Sequence, residues 1–213
     1  MNAEALEARF RATLKAAPLV AILRGVRPDE VEAIGAALVE SGIRLIEVPL
    51  NSPDPFSSIA RLVKSFGQAA LIGAGTVIQP DDLLELADIG AGLVISPHAD
   101  RAVIEATRRA GLISMPGIAT PSEAFGAIAA GAHALKLFPM EMIGVAGLKA
   151  MKAVLPPDMP LIAVGGVGAA NIAAFREAGC AGFGLGSSLY KPGMTALAVR
   201  QVAGSCRDAL AAR

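Results

Sequence analysis

Three ionisable residues interrupt apolar runs of the sequence: Arg24 in VAILRG, Glu47 in LIEVPL and Lys136 in ALKLF. Runs this apolar are typical of strands that are buried on both faces of a parallel sheet. A charged group in such a strand must be desolvated, paired or used chemically. Burial and a nearby cation both lower the pKa of a lysine, and the resulting neutral amine can attack a carbonyl to form a Schiff base. Lys136 is therefore a candidate nucleophile.

The two other charges suit complementary roles. Glu47 would move the protons that the carbinolamine and enamine steps require, and Arg24 would bind a substrate carboxylate in bidentate fashion. A simpler interpretation is a buried structural ion pair between Lys136 and Glu47, although such pairs cost desolvation and apolar residues often serve as well. An isomerase or epimerase that uses the pair as acid and base, with no covalent intermediate, is a further alternative. A non-catalytic phosphosugar sensor is another, but binding alone explains three inward charges poorly.

Eight β-rich runs alternate with helical patterns along the chain. The runs lie at residues 18–25, 44–50, 70–77, 92–97, 112–119, 134–139, 160–166 and 182–188. Pro or Asp opens several of the helical patterns and Gly closes nearly all of them, as expected for helix caps. The pattern predicts an α/β fold, a single (β/α)8 TIM barrel over residues 1–213, in which residues 1–17 form an extra amino-terminal capping helix. A doubly wound open sheet is the structural alternative.

The predicted barrel gives the three charges a common location. In such barrels the active site lies at the carboxyl ends of the strands. Alternation along each strand places Glu47 on the same face as Leu45, and Lys136 on the same face as Ala134. Arg24 follows the same alternation in the first strand. We therefore expect all three charges to point into the barrel near its top.

Two glycine-rich segments, AVGGVGAANI and GLGSSLY, end the seventh and eighth predicted strands. Backbone N–H groups and the amino terminus of a following helix form a ready anion site, and barrels often hold phosphate after these two strands. Glycines that serve only tight turns are the simpler explanation. The candidate phosphate-binding residues are Gly165, Gly166, Val167, Gly186, Ser187 and Ser188.

Other residues near the predicted strand ends carry weaker signals. GAGT at 73–76 ends the third strand, where its glycines let the backbone approach a ligand closely and Thr76 adds a hydroxyl. Pro97 and Phe138 are candidate pocket-lining residues, although packing alone explains them equally well. No cluster of His, Asp or Glu has the spacing of metal ligands, so we expect neither a metal nor another cofactor.

Composition argues against several classes of partner. The chain has 19 basic and 19 acidic residues, and their scatter along the sequence argues against a nucleic acid or an anionic membrane as partner. No apolar run is long enough to predict a transmembrane helix. Cys180 and Cys206 show no metal or redox spacing and are expected to be reduced thiols in a cytoplasmic protein.

The order of these motifs resembles the KDPG/KHG aldolase family. The resemblance covers residues 18 to about 205 and rests on AILRG, EVPLNSP, LIGAGTV, AAGAHALKLFP, AVGGV and AGFGLGSSLY. It implies a class I aldolase with a small (β/α)8 barrel, assembled as a homotrimer, that works without a cofactor. The implied substrate is a phosphorylated keto-deoxy sugar acid, which is cleaved to pyruvate and glyceraldehyde 3-phosphate.

The resemblance also implies residue roles. Lys136 would be the Schiff-base lysine and Glu47 the proton donor and acceptor, while Arg24 and Thr76 would hold the pyruvate-derived end. The implied phosphate end comprises Gly166, Val167, Gly186, Ser187 and Ser188.

Two local features indicate which epimer the substrate is, and two others differ from the sequences usual in the family. Asn51 in EVPLN, an implied pocket residue, and the segment AVGGV favour the galactonate epimer of the substrate; the gluconate epimer or an unphosphorylated keto-deoxy acid is the alternative. MEMI at 140–143 matches no family signature, and Ser188 stands where the family often has aspartate. These departures leave the finer substrate choice open.

Overall fold

Strands and helices alternate along the computed structural model, which describes residues 2–212. The strands are β1 (Leu19–Ile22), β2 (Leu45–Pro49), β3 (Leu71–Gly75), β4 (Leu93–Ile95), β5 (Ile113–Met115), β6 (Gly117–Ile118), β7 (Leu135–Leu137), β8 (Leu161–Val164) and β9 (Gly182–Leu185). The helices are α1 (Ala3–Ala16), α2 (Val31–Glu40), α3 (Pro55–Phe66), α4 (Asp82–Asp88), α5 (Arg101–Arg109), α6 (Pro121–Ala129), α7 (Met140–Val154), α8 (Ile172–Glu177) and α9 (Ala196–Ala211).

All neighbouring strands pair in parallel, in the order β5-β4-β3-β2-β1-β9-β8-β7-β6. Only Pro116 separates β5 from β6, so these two short strands are the halves of a single fifth barrel strand. Proline has no N–H to donate to a ladder, which accounts for the break. The sheet thus closes through this strand, which confirms the (β/α)8 barrel and excludes the doubly wound open sheet.

The barrel interior and the helix-facing layer follow the predicted alternation. Leu45 and Ala134 belong to the inner apolar cluster, whereas Ile46 and Leu135 pack in the outer cluster with the helices. Parallel strands covered on both faces are apolar throughout for this reason. Glu47 and Lys136 are therefore placed on the inner face by their own strands.

Helix α1 closes the amino-terminal end of the barrel. Leu6, Phe10 and Leu14 are buried in the same cluster as the inner strand residues. Asn2 begins the helix, since its side chain accepts a hydrogen bond of 2.8 Å from the backbone N–H of Ala5. The end opposite the predicted active site is thus sealed by apolar side chains.

Two further observations concern the described residues. The run predicted at 18–25 placed Arg24 in the first strand. Strand β1 ends at Ile22, however, so Arg24 lies in the turn that follows the strand.

None of the helices formed by residues 2–212 is long and apolar enough to cross a membrane.

Candidate active site

A cavity of about 190 Å³ opens at the carboxyl ends of the barrel strands. It brings together three predicted catalytic or carboxylate-binding side chains with the two glycine-rich segments. Its lining residues are Ile22, Arg24, Glu47, Lys136, Phe138, Glu141, Val164, Gly165, Gly166, Val167, Gly184, Gly186, Ser187 and Ser188. Most of the predicted site residues thus lie on the wall of one cavity.

Lys136 projects into this cavity from the middle of β7, where it pairs in register with Gly117 and Ile162. The residue is only 6% exposed, and its Nζ lies 4.5 Å from the centroid of the Phe138 ring. Burial lowers the pKa of the Lys136 amine below its ordinary value, and the nearby Arg24 guanidinium lowers it further, while Glu47 opposes the shift. These surroundings favour the neutral, nucleophilic form of the amine.

Glu47 reaches the same cavity from β2 and is 1% exposed. Its Oε2 is buried without a hydrogen-bond partner among residues 2–212. Burial raises the pKa of the carboxyl to about 7, against the opposing effects of Lys136 and Arg24. A carboxyl that titrates near neutral pH can both accept and return a proton, as a general acid–base group must.

The two buried charges do not form the structural ion pair that was the simpler interpretation. No contact of 4.0 Å or less between the Lys136 ammonium and the Glu47 carboxylate occurs within the described part of the chain. The two groups still influence each other's pKa across the cavity. Both groups line the cavity, so each is accessible to a molecule bound there.

Gly75, the last residue of β3, makes room for the Glu47 carboxyl. A Cβ at position 75 would overlap Oε1, Oε2 and Cδ of Glu47. Only glycine can therefore occupy this position while the carboxyl keeps its orientation. The second glycine of GAGT thus shapes the candidate site through its missing side chain.

We expect Gly75→Ala to lower the free energy of unfolding by about 1–3 kcal/mol, because overpacking forces the Glu47 carboxyl to move. Chemical denaturation measures this loss, and a double-mutant cycle with Glu47→Ala assigns it to the contact. The loss should shrink when the carboxyl is absent. An equal loss in both backgrounds would show that Gly75 serves the backbone and not Glu47.

Arg24 is held at the cavity wall by two predicted site residues. Its Nη1 donates a hydrogen bond of 2.6 Å to Oδ1 of Asn51, and its Nη2 donates one of 3.2 Å to Oγ1 of Thr76. Thr76 has a φ of 55°, a left-handed conformation that is strained for a β-branched residue. Asn51 and Thr76 thus orient the guanidinium, whose remaining N–H groups are available to a carboxylate.

The two glycine-rich segments contact each other at the cavity wall. Ser188 joins them, because its Oγ donates a hydrogen bond of 2.6 Å to the carbonyl of Val167. No partner within residues 2–212 takes the backbone N–H groups of the loop residues Gly166, Val167, Ser187 and Ser188. Free, convergent N–H groups are the donors that a phosphate needs.

The predicted helix contribution to this anion site is smaller than expected. Helix α8 has only six residues, and the segment after β9 forms only two separate turns before α9 begins at Ala196. An anion at this position would therefore meet mainly donors of the loop backbone, with little contribution from a helix dipole.

Sequence reasoning missed two side chains that shape this end of the cavity. Asn171 braces the loop after β8: its Oδ1 accepts from the N–H of Gly168 at 3.0 Å, and its Nδ2 donates to the carbonyl of Gly166 at 2.8 Å. An asparagine just before a helix was the available signal. Glu141, in the unexplained MEMI segment, also lines the cavity.

Three predicted site residues, Asn51, Thr76 and Pro97, do not line this cavity. Asn51 and Thr76 contact Arg24, which does line it. Pro97 is half-buried after β4, where its carbonyl oxygen packs closely against Gly117. A larger cavity of about 480 Å³ lies near the amino-terminal ends of β1, β8 and β9, next to Leu14 and Phe183. We assign the chemistry to the smaller cavity because the buried lysine and glutamate are there.

Sequence comparisons agree with this geometry. Residues 10–201 match the family described as KDPG and KHG aldolase. The chain is 51% identical to a probable 2-dehydro-3-deoxy-6-phosphogalactonate aldolase of Rhizobium meliloti (strain 1021), covering 86% of this chain and 87% of that protein. It is 47% identical to the 2-dehydro-3-deoxy-6-phosphogalactonate aldolase of Escherichia coli (strain K12), over 84% and 87% of the two chains.

Solved structures also superpose closely on this chain. A structure described as native KDPGal superposes with a TM-score of 0.89 and 45% identity, covering 90% of this chain and 93% of that one. A KDPG aldolase from Legionella pneumophila superposes with a TM-score of 0.83 and 26% identity, over 92% and 97% of the two chains. That protein was captured with pyruvate as a covalent carbinolamine intermediate at low pH.

Proposed function

Because the chain belongs to the KDPG and KHG aldolase family, and is thus a carbon–carbon lyase, we propose that it is a class I aldolase that uses Lys136 as its Schiff-base residue. The observation that carries this proposal is the pair of buried groups in one cavity, a lysine with a lowered pKa and a carboxyl with a raised pKa. The carbinolamine trapped in the related Legionella enzyme is consistent with this assignment.

The proposed reaction starts with attack of the neutral Nζ of Lys136 on the C2 ketone of the substrate. Loss of water from the carbinolamine gives an iminium ion, which acts as an electron sink. Arg24, oriented by Asn51 and Thr76, binds the neighbouring C1 carboxylate and thereby aligns C2 with the amine.

Bond cleavage requires a base near C4. The Glu47 carboxylate, directly or through a water, accepts the C4 hydroxyl proton while the C3–C4 bond breaks and its electron pair converts the iminium to an enamine. The aldehyde product leaves, and Glu47 returns the proton to C3. Hydrolysis of the resulting iminium releases pyruvate and restores Lys136.

We assign the phosphate of the substrate to the segments at 165–168 and 186–188. The support is their set of backbone N–H groups without partners within residues 2–212, on the wall of the cavity that also contains Arg24 and Lys136. This placement sets the substrate across the cavity, with its carboxylate at Arg24 and its phosphate at the glycine-rich segments.

We propose 2-dehydro-3-deoxy-6-phosphogalactonate as the substrate, cleaved to pyruvate and D-glyceraldehyde 3-phosphate. Two relatives that share about half of their residues with this chain carry that activity in their names. The test is turnover of the two C4 epimers, followed as pyruvate formation. We expect kcat/KM to be at least about tenfold higher for the galactonate epimer, a difference within reach of a few pocket contacts. Higher kcat/KM for the gluconate epimer would overturn the substrate assignment but not the aldolase chemistry.

Two further proposals rest on the family resemblance. We propose that the enzyme is a homotrimer located in the cytoplasm. Light scattering coupled to size exclusion would then give three times the chain mass of 21.6 kDa. A monomer mass at working concentration would contradict the trimer.

A further inference from the structure

One carboxylate in the cavity has no role in the proposed reaction. Glu141 lies in the first turn of α7 and lines the cavity together with Lys136 and Glu47. No hydrogen-bond or salt-bridge partner for its carboxylate occurs within residues 2–212. The residue is exposed, so its carboxylate is free to contact a molecule bound in the cavity.

The backbone opposite Glu141 is shaped to receive its side chain. Gly165 and Gly166 have φ values of 101° and 63°, which favour glycine. A Cβ on Gly166 would lie 2.6 Å from Cγ and 2.9 Å from Cδ of Glu141, and one on Gly165 would overlap Oε2. The side chain therefore lies across these two glycines, at the start of the loop assigned to the phosphate.

In the proposed binding mode, this position lies between the reacting carbons and the phosphate of the substrate. Lys136 bonds to C2, Glu47 serves the C4 hydroxyl, and the loop that begins at Gly165 holds the C6 phosphate. The C5 hydroxyl is the remaining polar group between the reacting carbons and the phosphate. It is also the hydroxyl that stays on the aldehyde product after cleavage.

We propose that Glu141 accepts a hydrogen bond from the C5 hydroxyl and thereby selects substrates whose aldehyde half carries a hydroxyl next to the carbonyl. This inference rests on the proposed function. A charged acceptor suits the role, because hydrogen bonds to ionised groups are stronger than those between neutral groups. A site built to bind a hydroxyl also rejects analogues that lack it, since its own polar group is then left without a partner.

The test uses the aldol addition of pyruvate to two aldehydes, D-glyceraldehyde 3-phosphate and 3-oxopropyl phosphate, which lacks the hydroxyl. Glu141→Ala should lower kcat/KM for glyceraldehyde 3-phosphate by about 10- to 100-fold, the range for a lost hydrogen bond to a charged group. The loss for 3-oxopropyl phosphate should be at least about tenfold smaller. Glu141→Gln keeps a neutral acceptor and should fall between Glu141→Ala and the wild type.

Two kinetic results would contradict the proposed role of Glu141. Equal losses with both aldehydes would show that Glu141 only shapes the loop, and gains with both would show that it repels phosphate; either would overturn the proposal. Met142→Ala is the matched control, because Met142 is the next residue of α7 and is 83% exposed. Exchange of the pyruvate methyl protons with deuterium by the wild-type enzyme needs no aldehyde. Failure of that exchange would count against the proposed function itself.

Discussion

Replacement of Lys136 by Ala is expected to lower aldol cleavage by at least about 10⁴-fold, a loss typical of removing a covalent catalytic group. The reason is that no other amine among the cavity-lining residues can form the iminium that takes up the electrons of the breaking C3–C4 bond. Steady-state assays of pyruvate formation measure the loss. The effect should appear in kcat, because Arg24 and the glycine-rich segments still bind the substrate.

Two controls make this result specific. Lys136→Met keeps most of the side-chain volume and should be as inactive as Lys136→Ala while retaining the packing around β7. Lys149→Ala removes an exposed lysine of α7 and should leave turnover unchanged. Substantial activity in either Lys136 variant would contradict the covalent mechanism and favour an isomerase-like acid–base site.

Replacement of Glu47 by Gln is expected to lower kcat by about 10²- to 10⁴-fold, the usual contribution of a general acid–base group. Glutamine has nearly the same shape, so Gly75 still accommodates it and the barrel interior keeps its packing. Lys136 remains in place and should still form a covalent adduct with pyruvate. A variant that loses adduct formation completely would show that Glu47 is needed to keep Lys136 reactive, and not only to move protons at C4.

The pH profile gives a second measurement of the same group. Burial raises the pKa of Glu47 to about 7, so the carboxyl is protonated below that pH and cannot accept the C4 hydroxyl proton. Cleavage by the wild type should therefore fall about tenfold for each pH unit below about 7, as expected for a single essential base. Glu47→Gln should lack this limb. A wild-type profile that stays flat between pH 5 and pH 7 would contradict the role of Glu47 as base.

The positions of the candidate catalytic residues could be predicted from the sequence because strand periodicity is a local property. The alternation in LIEVPL and ALKLF was enough to place Glu47 and Lys136 inside the barrel, and the glycine-rich segments were identified by composition and order alone. The closure of the sheet was also predictable, since eight β/α units have few alternative arrangements.

The remaining features depend on contacts between distant segments. The overlap of a Cβ at Gly75 with the Glu47 carboxyl comes from the register of β2 and β3, which the sequence does not display. The position of Glu141 across Gly165 and Gly166 likewise depends on the start of α7 meeting the loop after β8. The helix expected to support the phosphate site was wrong in extent, because only six residues of α8 are helical.

The most direct test of the central claim is reduction with borohydride in the presence of pyruvate, followed by peptide mass spectrometry. We expect a reduced pyruvyl adduct on Lys136 of the wild type and none on Lys149 or in Lys136→Ala. Failure to find an adduct under conditions where the enzyme turns over would contradict Schiff-base catalysis. Lys136 would then act as an acid or base opposite Glu47.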